Sequence, residues 1–333
     1  MTSALVLGKF LPPHAGHVYL MERARELADD VVVLLLAHSA EPIPVEVRHR
    51  WLEELFPWAE VRSGVADHPI DYADPAVYDL WAATIKEVTG RPSFDLLLTS
   101  EPAYGDMTAE RIDARHVLVD PDRSAVPISA TAIRRGPYAN WAYLSPAVRA
   151  WYAKRVCLLG AESTGTTTMT AALAERFATV WVPEYGREYS VPKDARGDAW
   201  TTDEFVMIAR RQQALEDELA RDANRILFCD TDALTTAMFH EQYMGSRAPE
   251  VEAIARSRTY DLTFLTADDF PWVDDGTRAS PVARARMQRR FEEELRARLE
   301  PVVELRGSHE ARLVAAISAI DTHLGLRPPD RQQ

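Results

Sequence analysis

Short apolar runs recur along this chain, separated by longer stretches that carry apolar residues at helical spacing. Few architectures satisfy that alternation, and parallel sheets wrapped by helices satisfy it best. In the first half, strands are expected near Ala4–Leu7, Val31–Ala37, Asp95–Thr99 and His116–Val119. Helices fit Gly16–Ala28, Val45–Phe56 and Pro75–Val88. Ser145-Pro146 reads as a helix start, a capping hydroxyl and then proline at the first helical position, and that helix runs to about Lys154. The pattern then restarts, with strands near Val156–Leu159, Ile226–Cys229, Leu262–Leu265 and Val302–Leu305. A long helix opens at Thr201, which forms a capping box with Glu204, and runs toward Asn224. Two α/β domains in tandem are expected.

Length agrees, since 333 residues suit two domains of about 150 residues each. A net charge of −13 argues against a nucleic-acid sheath and against adhesion to anionic membranes. Local basic groups can still hold small anions. The two cysteines, Cys157 and Cys229, both lie in apolar runs and read as buried strand residues, not as a disulfide framework. The longest unbroken apolar run, Val31 to Ala37, is far short of a membrane span, and no signal peptide precedes the first strand. A cytoplasmic protein is expected.

Gly8-Lys9-Phe10-Leu11-Pro12-Pro13-His14-Ala15-Gly16-His17 follows the first strand and opens a helix. Ligands of open α/β sheets bind at the carboxyl ends of strands, and helix N-termini favour anions. Gly8 lets backbone approach a ligand closely, and Gly16 leaves no side chain between the two histidines. Paired imidazoles at a helix start make a compact donor set for phosphate oxygens. The plainer reading is two surface histidines at a turn, and a metal pair lacks a carboxylate or cysteine at useful spacing.

Residues 160 to 168, Gly160-Ala161-Glu162-Ser163-Thr164-Gly165-Thr166-Thr167-Thr168, follow a second apolar run and precede a helical pattern over Met169–Phe177. They fit the phosphate-binding loop G-x-x-x-x-G-K-[ST] except at the lysine, where Thr166 stands. Backbone amides of Glu162 to Thr167 can still form an anion-binding nest, and Thr167 can still reach Mg²⁺. One positive charge at the β- and γ-phosphates is missing.

The first motif resembles the signature of the nucleotidyltransferase superfamily, whose H-x-G-H histidines bind ATP phosphates. The superfamily's second signature, I-S-x-T-x-I-R, stands here as Ile128-Ser129-Ala130-Thr131-Ala132-Ile133-Arg134. The whole chain to about residue 325 resembles the bifunctional nicotinamide mononucleotide adenylyltransferase/ribosylnicotinamide kinase family (NadR-type). That likeness rests on both motifs, on Val119-Asp120-Pro121-Asp122-Arg123, and on Glu184-Tyr185-Gly186-Arg187-Glu188-Tyr189. It rests too on Asp230-Thr231-Asp232 with Thr235-Thr236, and on Pro271-Trp272-Val273-Asp274-Asp275-Gly276 with Arg278.

The resemblance implies an α/β fold, an N-terminal Rossmann-like nucleotidyltransferase domain over residues 1–150 followed by a P-loop NTPase-like kinase domain over residues 151–333. It implies adenylyl transfer from ATP to nicotinamide mononucleotide with Mg²⁺, catalysed by His17, His14 and Arg134. Lys9, Phe10, Ser129 and Thr131 would bind nucleotide phosphates. Nicotinic acid mononucleotide or a pantetheine phosphate is the alternative acceptor. A cationic pyridinium ring wants an aromatic face, and Trp81 and Tyr78 are the candidates, with core packing the plainer reading of each.

In the second half, Asp230 and Thr167 would hold the metal, and Asp232 or Glu184 would be the base for a nicotinamide riboside hydroxyl. The plainer reading of each acid is a helix cap or a surface charge. Arg187 and Arg278 belong to the same set, and a lid arginine (Arg278, Arg284 or Arg286), Lys154 or Lys193 would have to replace the missing lysine. Without one, kinase activity is expected to be weak or absent, and the second half becomes a nucleotide-sensing or oligomer-building module. Some members of the family begin with a DNA-binding helix-turn-helix, whereas this sequence starts at the strand, so no nucleic-acid partner is expected. A homo-oligomer without membrane contact is the remaining expectation.

Overall fold

A strand with apolar side chains on both faces belongs in the interior of a parallel sheet covered by helices on each side. β1 (Ser3–Gly8) and β2 (Asp30–Ala37) meet that condition in the computed structural model, which describes residues 1–69, 71, 73–269 and 281–329. They pair in parallel with Leu5 opposite Val32 and Val6 opposite Val33. Val6, Val33 and Leu35 bury against Met21, Leu52 and Phe56 on one face, and Leu5, Val32 and Leu34 against Ile85 and Leu97 on the other. Each such side chain contributes roughly 1.5–3 kcal/mol by leaving water.

The chain divides into two compact units, Met1–Val148 and Arg149–Gln333. In the first, α1 (Ala15–Leu27) follows β1, and β2 leads through α2 (Val45–Leu55) to β3 (Glu60–Val65). Then come α3 (Pro75–Thr89), β4 (Leu96–Thr99), α4 (Pro102–Arg111), β5 (Arg115–Leu118) and the short α5 (Ala130–Arg135), and α6 (Pro146–Tyr152) runs across the boundary. The strand order is β3-β2-β1-β4-β5, parallel throughout.

The second unit contains β6 (Lys154–Leu159), α7 (Thr166–Phe177), β7 (Trp181–Val182), α8 (Tyr185–Arg196), α9 (Thr202–Leu219) and β8 (Ile226–Asp230). It continues with α10 (Ala233–Met244), α11 (Pro249–Ser257), β9 (Leu262–Thr266), α12 (Pro281–Leu295), β10 (Val302–Leu305) and α13 (His309–Leu324). Its parallel sheet runs β10-β9-β6-β8-β7. In each sheet the first strand lies between two later ones, β1 between β2 and β4, and β6 between β8 and β9. Connections leave such a strand in opposite directions and open a crevice at its carboxyl end. Both sequence motifs begin at that point.

Several expected boundaries move. The helix opened by Thr201 has its capping box but stops at Leu219, because the Asn224 amide donates to Thr179 Oγ1 and Arg225 takes a left-handed φ of 70° into β8. α6 starts at Pro146 as expected, yet the buried Ser145 hydroxyl has no hydrogen-bond partner and is no cap. β3 was not expected at all. Its residues are only partly buried at the sheet edge, and Gly64 and Ser63 dilute its apolar signal. Among the described residues no helix is long and apolar enough to cross a membrane.

Candidate functional site

The loop after β1 is held from two sides. Arg48, buried on the apolar face of α2, donates through Nη1 to the Lys9 carbonyl at 2.7 Å, and Arg134 of α5 donates to the Leu11 carbonyl at 2.6 Å. Phe10 within it has φ 44° and is buried, and the Leu11–Pro12 bond is cis. The loop ends at His14, the N-cap of α1, whose Nδ1 accepts the Gly16 N–H at 3.1 Å. His17 Nδ1 in turn accepts the His14 N–H at 3.2 Å, and the two rings lie 3.8 Å apart. A Cβ on residue 16 would stand 3.0 Å from His14 Cε1 and crowd the ring.

These two caps settle the chemistry of the rings. An Nδ1 that accepts a backbone N–H carries no proton, so each neutral ring holds its proton on Nε2. Burial lowers the His14 pKa to about 4, with the Arg123 charge adding to it. Burial also holds the His17 pKa well below its ordinary value, helped by His14 and Arg123. Near neutrality the site presents two uncharged Nε2–H donors.

A folded pKa below the unfolded one means that His14 contributes stability above about pH 6.5, which is lost as pH falls through about 4. Between pH 7 and 5 that loss is on the order of 2 kcal/mol. Urea unfolding should therefore show a flatter pH slope for His14→Asn, which keeps a side-chain acceptor but does not titrate. An unchanged slope would count against this account.

A cavity of about 490 Å³ opens at this point, and every residue the sequence nominated in the first unit lines it. Gly8, Lys9, Phe10, Gly16 and the two histidines form one side, and Ser129, Thr131 and Arg134 another. Several are already engaged. Lys9 pairs with Glu41 at 3.0 Å, Ser129 Oγ caps α5 by accepting the Ala132 N–H, and Arg134 also donates to Thr131 Oγ1. Trp81 and Tyr78 line the same cavity. Tyr78 is buried, with its hydroxyl donating to the Ala103 carbonyl and the Arg111 guanidinium 5.4 Å over its ring. Core packing explains Tyr78. Trp81 is only half-buried, and His68 meets it edge-on at 5.4 Å.

In the second unit the loop from Gly160 to Gly165 joins β6 to α7. A Cβ on Gly160 would collide with Thr266 Oγ1 and lie 2.5 Å from Thr164 Oγ1. Thr164 is fully buried and donates to the Ala161 carbonyl at 2.7 Å, so it builds the loop. Glu162 and Thr168 are exposed, Ser163 has φ 62°, and Thr166 opens α7. Thr167 Oγ1 donates to Asp230 Oδ2 at 2.5 Å, bringing together the two residues expected at a metal. Asp230 Oδ1 is buried without a hydrogen-bond partner. Burial raises the Asp230 pKa against the pull of the Thr167 bond. Burial likewise lifts Glu184 to about 7, opposed by Arg187, which stands 3.4 Å away, and reinforced by Asp230 and Glu162.

Other expectations fail for identifiable reasons. Asp232 is no base, because it is 2% exposed, caps α10 through the Leu234 and Thr235 amides, and pairs with Arg298. Lys154 begins β6, at the end of the strand away from the loop, and pairs with Asp261 at 2.7 Å. Lys193 is buried against Glu204 at 2.8 Å and the Ala199 carbonyl. Neither lysine replaces the missing one. Arg278 lies outside the described residues, Arg284 is buried on α12 and Arg286 is exposed there.

The sequence reading missed the residues that hold the loops. Arg312, fully buried, donates to the Thr164 and Ala267 carbonyls and pairs with Asp269. Gln288 accepts the Ala161 N–H and donates to the Thr266 carbonyl. Arg48 and Arg312 did carry a signal. Each is a charge within an otherwise apolar helical stripe, Arg48 with Trp51 and Leu52, Arg312 with Ala316 and Ile320.

A histidine-bearing loop at one switch point and a P-loop at another define a tandem α/β nucleotide-binding protein. A family model described as AAA domain matches residues 155–312. The trifunctional NAD biosynthesis/regulator protein NadR of Escherichia coli K12 is 32% identical over 296 residues, which cover 84% of this chain and 72% of that protein. The protein of the same name from Salmonella typhimurium LT2 is 30% identical, with 96% and 83% covered. A crystal structure of NadR protein in complex with NR matches with a TM-score of 0.80 at 21% identity, covering 100% of this chain and 98% of that one. NadR protein in complex with NAD and AMP-PNP gives 0.77 at 21% identity, with the same coverage. This chain belongs to the NadR family.

Proposed function

We propose that the first unit transfers the adenylyl group of ATP to nicotinamide mononucleotide, releasing pyrophosphate and forming NAD. The observation that carries the proposal is the pair of capped, neutral histidines whose Nε2–H donors serve the 490 Å³ cavity. An oxygen of the acceptor phosphate attacks the α-phosphorus, a P–O bond forms, and the bond to pyrophosphate breaks. The attacking oxygen is already ionised, so no protein nucleophile is required. Catalysis reduces to in-line positioning and to donors aimed at growing charge. His17 acts on the α-phosphate, while His14 and Arg134 hold the loop and the remaining phosphates. The names of the relatives and the NAD complex of a NadR protein support this acceptor.

Purified protein assayed with ATP and nicotinamide mononucleotide, nicotinic acid mononucleotide or a pantetheine phosphate, with pyrophosphate release followed, tests the reading. Fastest turnover with either alternative acceptor would replace it. For the ring of the acceptor, Trp81 offers a face that Tyr78 has already given to Arg111. Trp81→Ala should raise KM for the mononucleotide about 5- to 30-fold, the size of a desolvated cation–π contact, with KM for ATP unchanged. Equal effects on both substrates would mean that Trp81 is core.

The second unit binds nucleotide and nicotinamide riboside and phosphorylates slowly, which suits a sensing role. Thr167 and Asp230 would hold Mg²⁺, and the unpartnered Oδ1 of Asp230 fits a cation there. The metal, when bound, neutralises charge on the β- and γ-phosphates. Glu184, with its pKa near 7 and in the field of Asp230, is the base.

A further inference from the structure

We infer that Arg123 is a phosphate-binding residue of the first unit, presented to the cavity by a turn that Asp120 builds. Asp120 and Arg123 both adopt left-handed backbone, φ 48° and 52°, and the Arg123 N–H donates to the Asp120 carbonyl at 3.0 Å. The Asp120 carboxylate accepts the N–H groups of Ser124, Ala125 and Val126 and the Ser124 hydroxyl. One carboxylate thus gathers three backbone N–H groups and a hydroxyl, and Arg123 projects from the turn they fix into the cavity wall.

Charge accounting in the cavity then brings Arg123 forward beside Arg134. Both histidines are neutral near pH 7, Lys9 shares Glu41 with the buried Arg48, and Arg134 places two donors on protein oxygens. Substrates bringing several phosphate charges need a cation with donors to spare. Arg123 spends Nη2 on Glu101 at 2.7 Å, one corner of a fork with five N–H groups. Its charge is also felt at His14 and His17, the two donors already assigned to phosphate. The Arg123–Glu101 pair is about half exposed on both sides, so a bound phosphate easily outcompetes it. Glu101 is a resting partner, held in place by the Thr99 hydroxyl that donates to its carbonyl.

The inference rests on the adenylyl-transfer reading, but calorimetric binding tests it separately. ATP and nicotinamide mononucleotide are titrated in turn into the full chain, the parent beside Arg123→Ala, Arg123→Lys and Glu101→Gln. Arg123→Ala should weaken one ligand tenfold or more. Loss confined to ATP assigns Arg123 to the polyphosphate, and loss confined to the mononucleotide assigns it to the acceptor phosphate. Arg123→Lys should recover part of the loss, and Glu101→Gln should leave binding unchanged or tighter. Changes below threefold for both ligands with Arg123→Ala overturn the inference, and so does weakening by Glu101→Gln. A parent that binds both ligands yet makes no NAD defeats the functional reading and leaves Arg123 tested.

Discussion

His17→Ala should lower kcat for adenylyl transfer by about 10²- to 10³-fold while moving KM for ATP far less. The asymmetry follows from where the donor acts. His17 keeps its proton on Nε2 because Nδ1 accepts the His14 N–H, and its lowered pKa keeps it a donor without a charge of its own. A neutral N–H adds little to binding a hydrated polyphosphate, but it strengthens as charge builds on the α-phosphate oxygens in the transition state. The substitution also removes the acceptor for the His14 amide, so His17→Asn is the companion variant, with a side-chain oxygen to receive that N–H. If both variants make NAD at the parent rate, the mechanism is wrong. If alanine fails and asparagine is normal, His17 only shapes the loop.

Thr166→Lys should raise phosphorylation of nicotinamide riboside by about 10²- to 10³-fold over the parent, the size expected when one transition-state cation is restored. The described residues proposed for a kinase site support that expectation. The loop is closed by Gly160 against Thr266, Arg312 holds the Thr164 carbonyl, and Thr167 meets Asp230 beside Glu184. Residue 166 opens α7, and its side chain lies by Asp230. Lys154 and Lys193, the nearest substitutes in sequence, are both occupied elsewhere. A parent that already turns over at an ordinary kinase rate, with no gain from lysine, would show that residue 166 does not limit this site.

Local signals carried most of the fold. β1, β2, β6, β8 and β9 were legible because strands buried on both faces are runs of apolar residues, and α3 because its apolar residues recur at helical spacing. The edge strands β3 and β7 were not, since a half-exposed strand of six residues or of two has no distinctive composition. The phosphate loops were legible for the same reason as the strands. A loop that caps a helix takes its local turn from neighbours in sequence, His14, Gly16 and His17 in one and Gly160 to Gly165 in the other, while Arg48, Arg134, Arg312 and Gln288 hold both loops from far along the chain.

What the sequence by itself determined was therefore the tandem α/β layout and the position of a motif at each switch point. Tertiary structure alone decided which charges are free to act. Asp232 reads like Asp230 two residues earlier, yet one is bound to Arg298 from 66 residues away and the other meets Thr167. Lys154, Lys193 and Lys9 read alike as cations near a phosphate loop, and distant carboxylates claim the first two while Glu41 shares the third. Arg123 and Arg48 differ from surface arginines only through partners far along the chain. Coulomb and hydrogen-bond energies depend on distances in space, and no local pattern records those distances for groups tens of residues apart.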